Sequence, residues 1–298
     1  MENKPNLSAV LEKDNLIVYL SILLIIIITG VYTIFGIGMP MSAIEMTKMS
    51  GIFSIPSSMD MDMNMGSNNM NMGSNNMNMD MNMEMNMGSN NMNKGWSFSM
   101  AISMFLMWWL MMIAMMTPSA APTLLLFHNL KRIGSERNKA LYYTYFFLSG
   151  YLIVWALFSL IACILHKFFD NSSITDIGMM QIRSIQFSGT LLIAAGIYQF
   201  TPLKNACLEK CRTPIDFLSS NNRKGAQGSF IMGAHHGLFC LGCCWALMAL
   251  LFVGGVMNLF WITGLALYVL IEKIIIKARW LDKIMGLILI VFGIFLFL

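Results

Sequence analysis

The sequence predicts an all-α protein, a polytopic transmembrane bundle of about seven helices with its amino terminus inside. Three observations carry that reading. Only 11% of the 298 residues are charged and 57% are hydrophobic, far below the about 25% charge of a soluble domain. Several apolar runs reach the roughly 20 residues that a helix needs to cross a bilayer core. The basic residues fall in short segments between those runs and favour alternate ones, the pattern of a multi-pass membrane protein. With the net charge of +4 spread over such segments, nucleic acid is not an expected partner.

The spans fall at about residues 16–37, 97–117, 141–165, 183–201, 229–252, 257–275 and 282–298. Lys4 and Lys13 before the first apolar run, and Met41-Ser42-Ala43 after it, resemble a signal peptide. The run from Leu16 to Ile37 is longer than a signal core, however, and reads as an uncleaved helix. Pro118 and Pro122 are expected to close the second helix, and Pro202 to end the fourth. Lys4, Lys13, Lys131, Arg132, Arg137, Lys139, Lys204, Lys210, Arg212, Arg223, Lys224, Lys273, Lys277, Arg279 and Lys283 fall on one side. The other side receives only Lys48, Lys94, Lys167 and Arg183. This places the protein in the cell membrane, with the first loop and the carboxyl terminus external. Three units follow: an N-terminal helix (1–40), an external loop (41–95) and a six-helix membrane domain (96–298).

The external loop contains three copies of "MGSNNMN", beginning at Met65, Met72 and Met87, within a methionine-rich stretch. Its thioethers are Met59, Met61, Met63, Met65, Met70, Met72, Met77, Met79, Met81, Met83, Met85, Met87 and Met92. Asn, Asp and Gly disfavour a sheet, and the polar composition reads as disordered low-complexity sequence. A neutral thioether selects Cu(I) and similar soft ions and needs no deprotonation to bind them. Asp60, Asp62, Asp80 and Glu84 add attraction for cations. The stretch therefore reads as metal capture rather than as a spacer, which Gly and Ser alone would provide.

A second sulfur-rich segment is "GAHHGLFCLGCCWALM", Gly233 to Met248. At helical spacing His236, Cys240, Cys243 or Cys244, and Met248 share one face, with His235 adjacent. Imidazole, thiolate and thioether together suit a soft ion. Ionisable groups at membrane depth are candidates for function, although a lone cysteine packs as a small hydrophobe. In "YQFTPLKNACLEKCRTP", Cys207 and Cys211 lie one turn apart, where Lys204, Lys210 and Arg212 would favour the thiolate. The second span sets Met104, Met107 or Trp108, Met111 and Met115 on one stripe with Met112 and Met116 beside it, either as packing or as a relay of thioethers. His128, in a basic loop, and His166, at a helix end, read as solvated or interfacial rather than as ligands. No catalytic constellation is assigned, and the absence of a phosphate-binding loop excludes an ATP-driven pump within this chain.

From about Trp96 onward the chain resembles the predicted metal-binding integral membrane proteins, a prokaryotic family. The resemblance rests on "WWLMMIAMMTPSAAP", "YQFTPLKNACLEKCRTP" and "GAHHGLFCLGCCWALMALLFVGGVMNLFW". It implies metal binding and carries over to Met112, Met115, Met116, Tyr198, Gln199, Pro202, Lys204, Cys207, Cys211, Arg212, His236, Gly237, Cys240, Cys243, Cys244, Trp245, Met248, Met257 and Asn258. The methionine-rich loop lies outside that core. The expected function is soft-metal uptake, transfer or delivery. Cu(I) is the leading ion, with silver and zinc as alternatives. The expected partners are the lipid bilayer, the ion, and a copper-dependent membrane enzyme or soluble metal chaperone. Two rivals stand beside this: a thiol–disulfide oxidoreductase built on "CLGCC" and "CLEKC", and an accessory or assembly subunit of a copper enzyme.

Overall fold

The structure, a computed structural model, describes residues 7–36, 42–50, 96–134, 136–172, 175–176, 181–182, 184–220, 223–275 and 279–297. The methionine-rich stretch, with Met59 to Met92, lies outside the described residues. Helices dominate: α1 (Leu7–Phe35), α2 (Ala43–Ser50), α3 (Phe98–Ile133), α4 (Ala140–Asn171), α5 (Ile185–Gln199), α6 (Pro202–Arg212), α7 (Pro214–Ser220), α8 (Gly225–Ala249), α9 (Leu259–Ile274) and α10 (Arg279–Phe295). Among the described residues, strand structure is limited to Thr175–Asp176 paired antiparallel with Gln181–Ile182.

All seven expected segments form helices. Four regions are long and apolar enough to cross a membrane: Asn15–Phe35, Phe98–Ile133, Arg137–Asn171 and Gly225–Gly254. The other three helices, α5, α9 and α10, have 15, 16 and 17 residues, short of the roughly 20 that a perpendicular crossing needs. Seven crossings are therefore not established.

The second span departs from expectation. Pro118 and Pro122 do not end it; both lie inside α3, which runs 36 residues to Ile133. Each proline removes one helical N–H, but neighbouring groups in a packed bundle re-satisfy such a turn. The carbonyls so freed are those of Ala114 and Pro118; between them, the Met116 carbonyl accepts from the Ser119 and Tyr151 hydroxyls, at 2.8 and 3.2 Å. Ser97 caps the start by accepting from the Met100 N–H. Lys131 and Arg132 occupy the last turn, where cations complement the helix dipole.

The structure also corrects the reading of both histidines. His128 sits on the inner face of α3, fully buried, with Nδ1 3.1 Å from the Thr144 hydroxyl. His166 faces α3 from within α4, buried, and its Nδ1 accepts from the Trp108 indole at 3.4 Å. Lys131, Arg132, Lys204, Arg212 and Lys273, read as loop cations, are likewise buried in helices.

Glycines set the helix contacts, because a residue without a side chain lets two helix backbones approach closely. A Cβ on Gly233 would lie 1.9 Å from the Phe147 carbonyl, and one on Gly150 2.2 Å from that of Phe230, so α4 and α8 touch backbone to backbone. Helices α5 and α10 pair in the same way. A Cβ on Gly196 would meet the Gly286 carbonyl at 2.8 Å, and one on Gly293 the Gly189 carbonyl at 2.9 Å. Helix α6 reaches α8 at Gly242, where an added Cβ would stand 2.7 Å from the Cys207 sulfur. The core between these helices is rich in sulfur and aromatic rings, with Trp108, Met111, Met112, Met116, Trp155, Cys240 and Cys244 essentially inaccessible.

Candidate metal centre

Helix α8 buries His236, Cys240, Cys243, Cys244 and Met248 on one side and leaves His235 exposed on another. The 3.6-residue period explains the split: His235 is rotated about 100° from His236, so the two adjacent histidines cannot serve one site. Met248 is buried two turns along from Cys240. The Cys243 and Cys244 thiols both donate to the Cys240 carbonyl, at 3.1 and 2.9 Å, which folds them back along the helix toward Cys240.

Three other helices complete the cluster. From α6, Cys211 is buried and its thiol hydrogen-bonds to Cys243. From α3, the Met116 thioether lies 3.8 Å from the Cys244 sulfur. From α9, Lys273 places its ammonium 2.8 Å from the Cys240 sulfur and 3.0 Å from the Ser119 hydroxyl. The Tyr151 hydroxyl of α4 lies 3.3 Å from the same sulfur. His236 sits among the rings of Phe147, Tyr151 and Phe217, with centroids 5.9 to 6.0 Å away. Its Nδ1 is buried without a hydrogen-bond partner. A buried polar atom left in that state is uncommon and demands an account.

All six stripe methionines of α3, Met104, Met107, Met111, Met112, Met115 and Met116, are buried. Met116 is the one that reaches the cysteines. Cys207, by contrast, is half-buried against Gly242. Its basic neighbours do not act as expected: Lys204 bonds to Glu272, and Arg212 donates to the Glu272 carbonyl. Burial, followed by the charge of Cys243, pushes the Cys207 thiol up instead. The Cys211 thiol also rises, first through the hydrogen bond it shares with Cys243 and then through burial.

Four thiols and one thioether thus converge, a donor set that suits a soft monovalent ion. All six cysteines are free. Among the described residues, no three His, Cys, Asp or Glu side chains stand ready to hold an ion by themselves. The Lys273 ammonium is the cation that now partners Cys240, and Met116 is a donor outside those four residue types.

Sequence reasoning missed Lys273, Tyr151 and Ser119 as members of this cluster, and Glu272 and Asp282 beside it. The pair Glu272-Lys273 carried a signal, since two charges end an otherwise apolar run. Tyr151 carried none, being one aromatic among many in α4. Residues 105–296 match the family model of PpoB2, described as a copper chaperone. No curated protein and no solved structure matches the chain. The matched region contains every residue of the cluster and excludes the methionine-rich stretch.

Proposed function

The chain belongs to the copper chaperone family PpoB2, and from that premise we propose that it holds Cu(I) at the buried sulfur cluster and passes it on within the cell membrane. One observation carries this reading: thiols from α6 and α8 and a thioether from α3 meet in one buried place. Cys211, Cys240, Cys243 and Cys244, with Met116, are the proposed donors, and His236 supplies an imidazole nitrogen with no other partner.

The ion is cargo, so binding must be reversible. Thioethers bind soft ions without a proton to lose, whereas thiols exchange a proton for the ion. Met104, Met107, Met111, Met112, Met115 and Met116 form a proton-independent path of exchange along α3, which ends on Cys244. The segment 41–95 is the collecting arm and residues 96–298 form the binding unit, with the arm outside and the amino terminus inside. The recipient is a copper-dependent membrane enzyme or a soluble metal chaperone.

Replacing Cys240 and Cys244 together by serine tests the site in protein lacking residues 57–93. Anaerobic competition against a chromogenic Cu(I) chelator is expected to show the loss of one tightly bound ion. Unchanged stoichiometry would remove these residues from the site. A thiol–disulfide role is the second reading, favoured by the direct contact of the Cys211 and Cys243 thiols. It predicts a reversible Cys211–Cys243 disulfide under mild oxidation, read by the mass of the alkylated protein.

A further inference from the structure

Beside the thiols lie four buried charged side chains. Lys204 and Arg212 come from α6, Glu272 from α9 and Asp282 from α10, and none is more than 9% exposed. The Lys204 ammonium donates to Glu272 and Gln199 and stands 3.7 Å from Asp282. Arg212 is 3.9 Å from Asp282 but directs its donors to the Glu272 backbone carbonyl, at 2.9 and 2.7 Å. The charges cancel, yet the hydrogen bonds do not. Glu272 Oε2 and both Asp282 oxygens are buried with no donor, although the two carboxyls lie within hydrogen-bonding reach of each other.

Carboxylate oxygens buried without a donor are costly, since nothing replaces the hydrogen bonds they made to water. Two carboxylates sharing one site relieve that cost by holding a proton between them. Two donors stand near without satisfying those oxygens. The Gln199 amide of α5 accepts from Lys204 through Oε1 and leaves its Nε2 buried without a partner, and the Tyr268 hydroxyl of α9 faces the Glu272 side. A cavity of 570 Å³ is walled by Asp282, Arg212, Gln199, Asn205, Glu209 and Lys283. Asn205, Glu209 and Lys283 are exposed, so the cavity brings water to Asp282. Lys204 also lies within electrostatic reach of the Cys243 sulfur. Lys273, next to Glu272 in the chain, touches Cys240.

We propose that the Glu272–Asp282 pair is a proton-transfer site, accepting the protons that the buried thiols lose as Cu(I) binds and handing them to water in the 570 Å³ cavity. The inference rests on the Cu(I)-binding reading of the cluster. For each thiol the exchange is R–SH + Cu⁺ → R–S–Cu + H⁺. One S–H bond breaks, one Cu–S bond forms, and no electron moves. Exchange at one thiol leaves the charge of the buried site unchanged only if the proton departs. A carboxylate of the pair takes it as a new O–H bond and returns to its starting state by losing it to water.

The test uses the full chain and the variants Glu272→Gln, Asp282→Asn and the double variant. Cu(I) is mixed anaerobically with each in weakly buffered solution, and an indicator dye follows proton release by stopped flow. Chelator competition measures bound copper separately. The double variant is expected to bind the same number of ions while releasing protons at least about 10²-fold more slowly, the lower end of what a positioned acid–base group contributes. Release at the wild-type rate with copper bound would overturn the proton role and leave the copper site standing. Failure of the wild type to bind copper would remove both. Should the double variant not fold, the single variants decide the matter. Slowed release with copper still bound in Glu272→Gln or Asp282→Asn supports transfer through the pair, and wild-type rates in both reject it.

Discussion

Lys204 shows at the scale of one residue how the site holds itself together. It is completely buried and bonded to Glu272, so Lys204→Met leaves two carboxyls without their nearest cation. Removing one partner of a buried pair costs about 3–5 kcal/mol, because the other charge is stranded. We expect thermal unfolding in detergent to show a loss of that order. Lys204→Met combined with Glu272→Gln should recover part of it, since the double change strands less charge. Equal losses for the single and double variants would mean that Lys204 acts by packing alone. The residue was visible in the sequence within a metal-family motif, but as a loop cation. Hydropathy places a lysine next to Pro202 at a helix end, and only the docking of α6 onto α9 turns it inward. Lys273 was misread for the same reason. His235 was misread through adjacency, because neighbours in sequence point about 100° apart on a helix.

Elements meet through glycine, and this makes their contacts testable by one methyl group. Gly233→Ala forces a Cβ to 1.9 Å from the Phe147 carbonyl, a backbone atom that cannot swing away. The α4–α8 contact must open, at a cost no smaller than the about 1–3 kcal/mol of ordinary overpacking. In α9, Gly264 has nothing within 4 Å of an added Cβ, so Gly264→Ala should be neutral or gain up to about 1 kcal/mol from helix propensity. Unfolding midpoints of the two variants in one detergent give the comparison, and indistinguishable midpoints would deny the close contact. Glu136 links elements in a different way. Its carboxylate bonds Lys131 at 2.6 Å and the Gly225 N–H at 2.7 Å, tying the end of α3 to the start of α8. The Lys131 hydrogen bond, then that of Gly225, holds its carboxyl below the usual range. A depressed folded value contributes stability above the unfolded value that disappears as pH falls through the folded one. Wild type should therefore exceed Glu136→Gln in midpoint near neutral pH, by a small margin because solvent screens the pair. The two curves should converge in acid; a gap that persists there would assign the effect to shape rather than charge. The helices themselves were legible from apolar runs. The passage of α3 through Pro118 and Pro122 was not, because packing against other helices holds the segment helical, and no local pattern announces that.

For the whole molecule, apolar runs supplied the all-α class, and residue type with helical spacing the sulfur-bearing segments. Their convergence was beyond it, because the approach of α6 to α8 depends on Gly242 and Cys207 meeting across more than thirty positions. The proposed division of labour, between a methionine-rich arm and a buried core, can be tested from where the family match begins. Residues 105–296 carry the copper chaperone likeness and all of the clustered sulfurs, while the 13 methionines between Ser57 and Asn93 lie before it. If the core is the chaperone and the arm a collector, deleting 57–93 should lower the number of ions bound without touching the tightest one. Thioethers without a thiolate bind a soft ion through neutral donors only, so the arm's ions should be the first removed by a chelator. The buried ion should persist, and its loss should require the cysteine changes. Anaerobic purification of both forms, with metal counted by mass spectrometry before and after chelator washing, separates the two populations. If the deleted form retains one resistant copper, the core is a chaperone in its own right and the arm raises supply. If it retains none, the arm is the only copper ligand, and the Cys211–Cys243 contact becomes the centre of thiol chemistry instead.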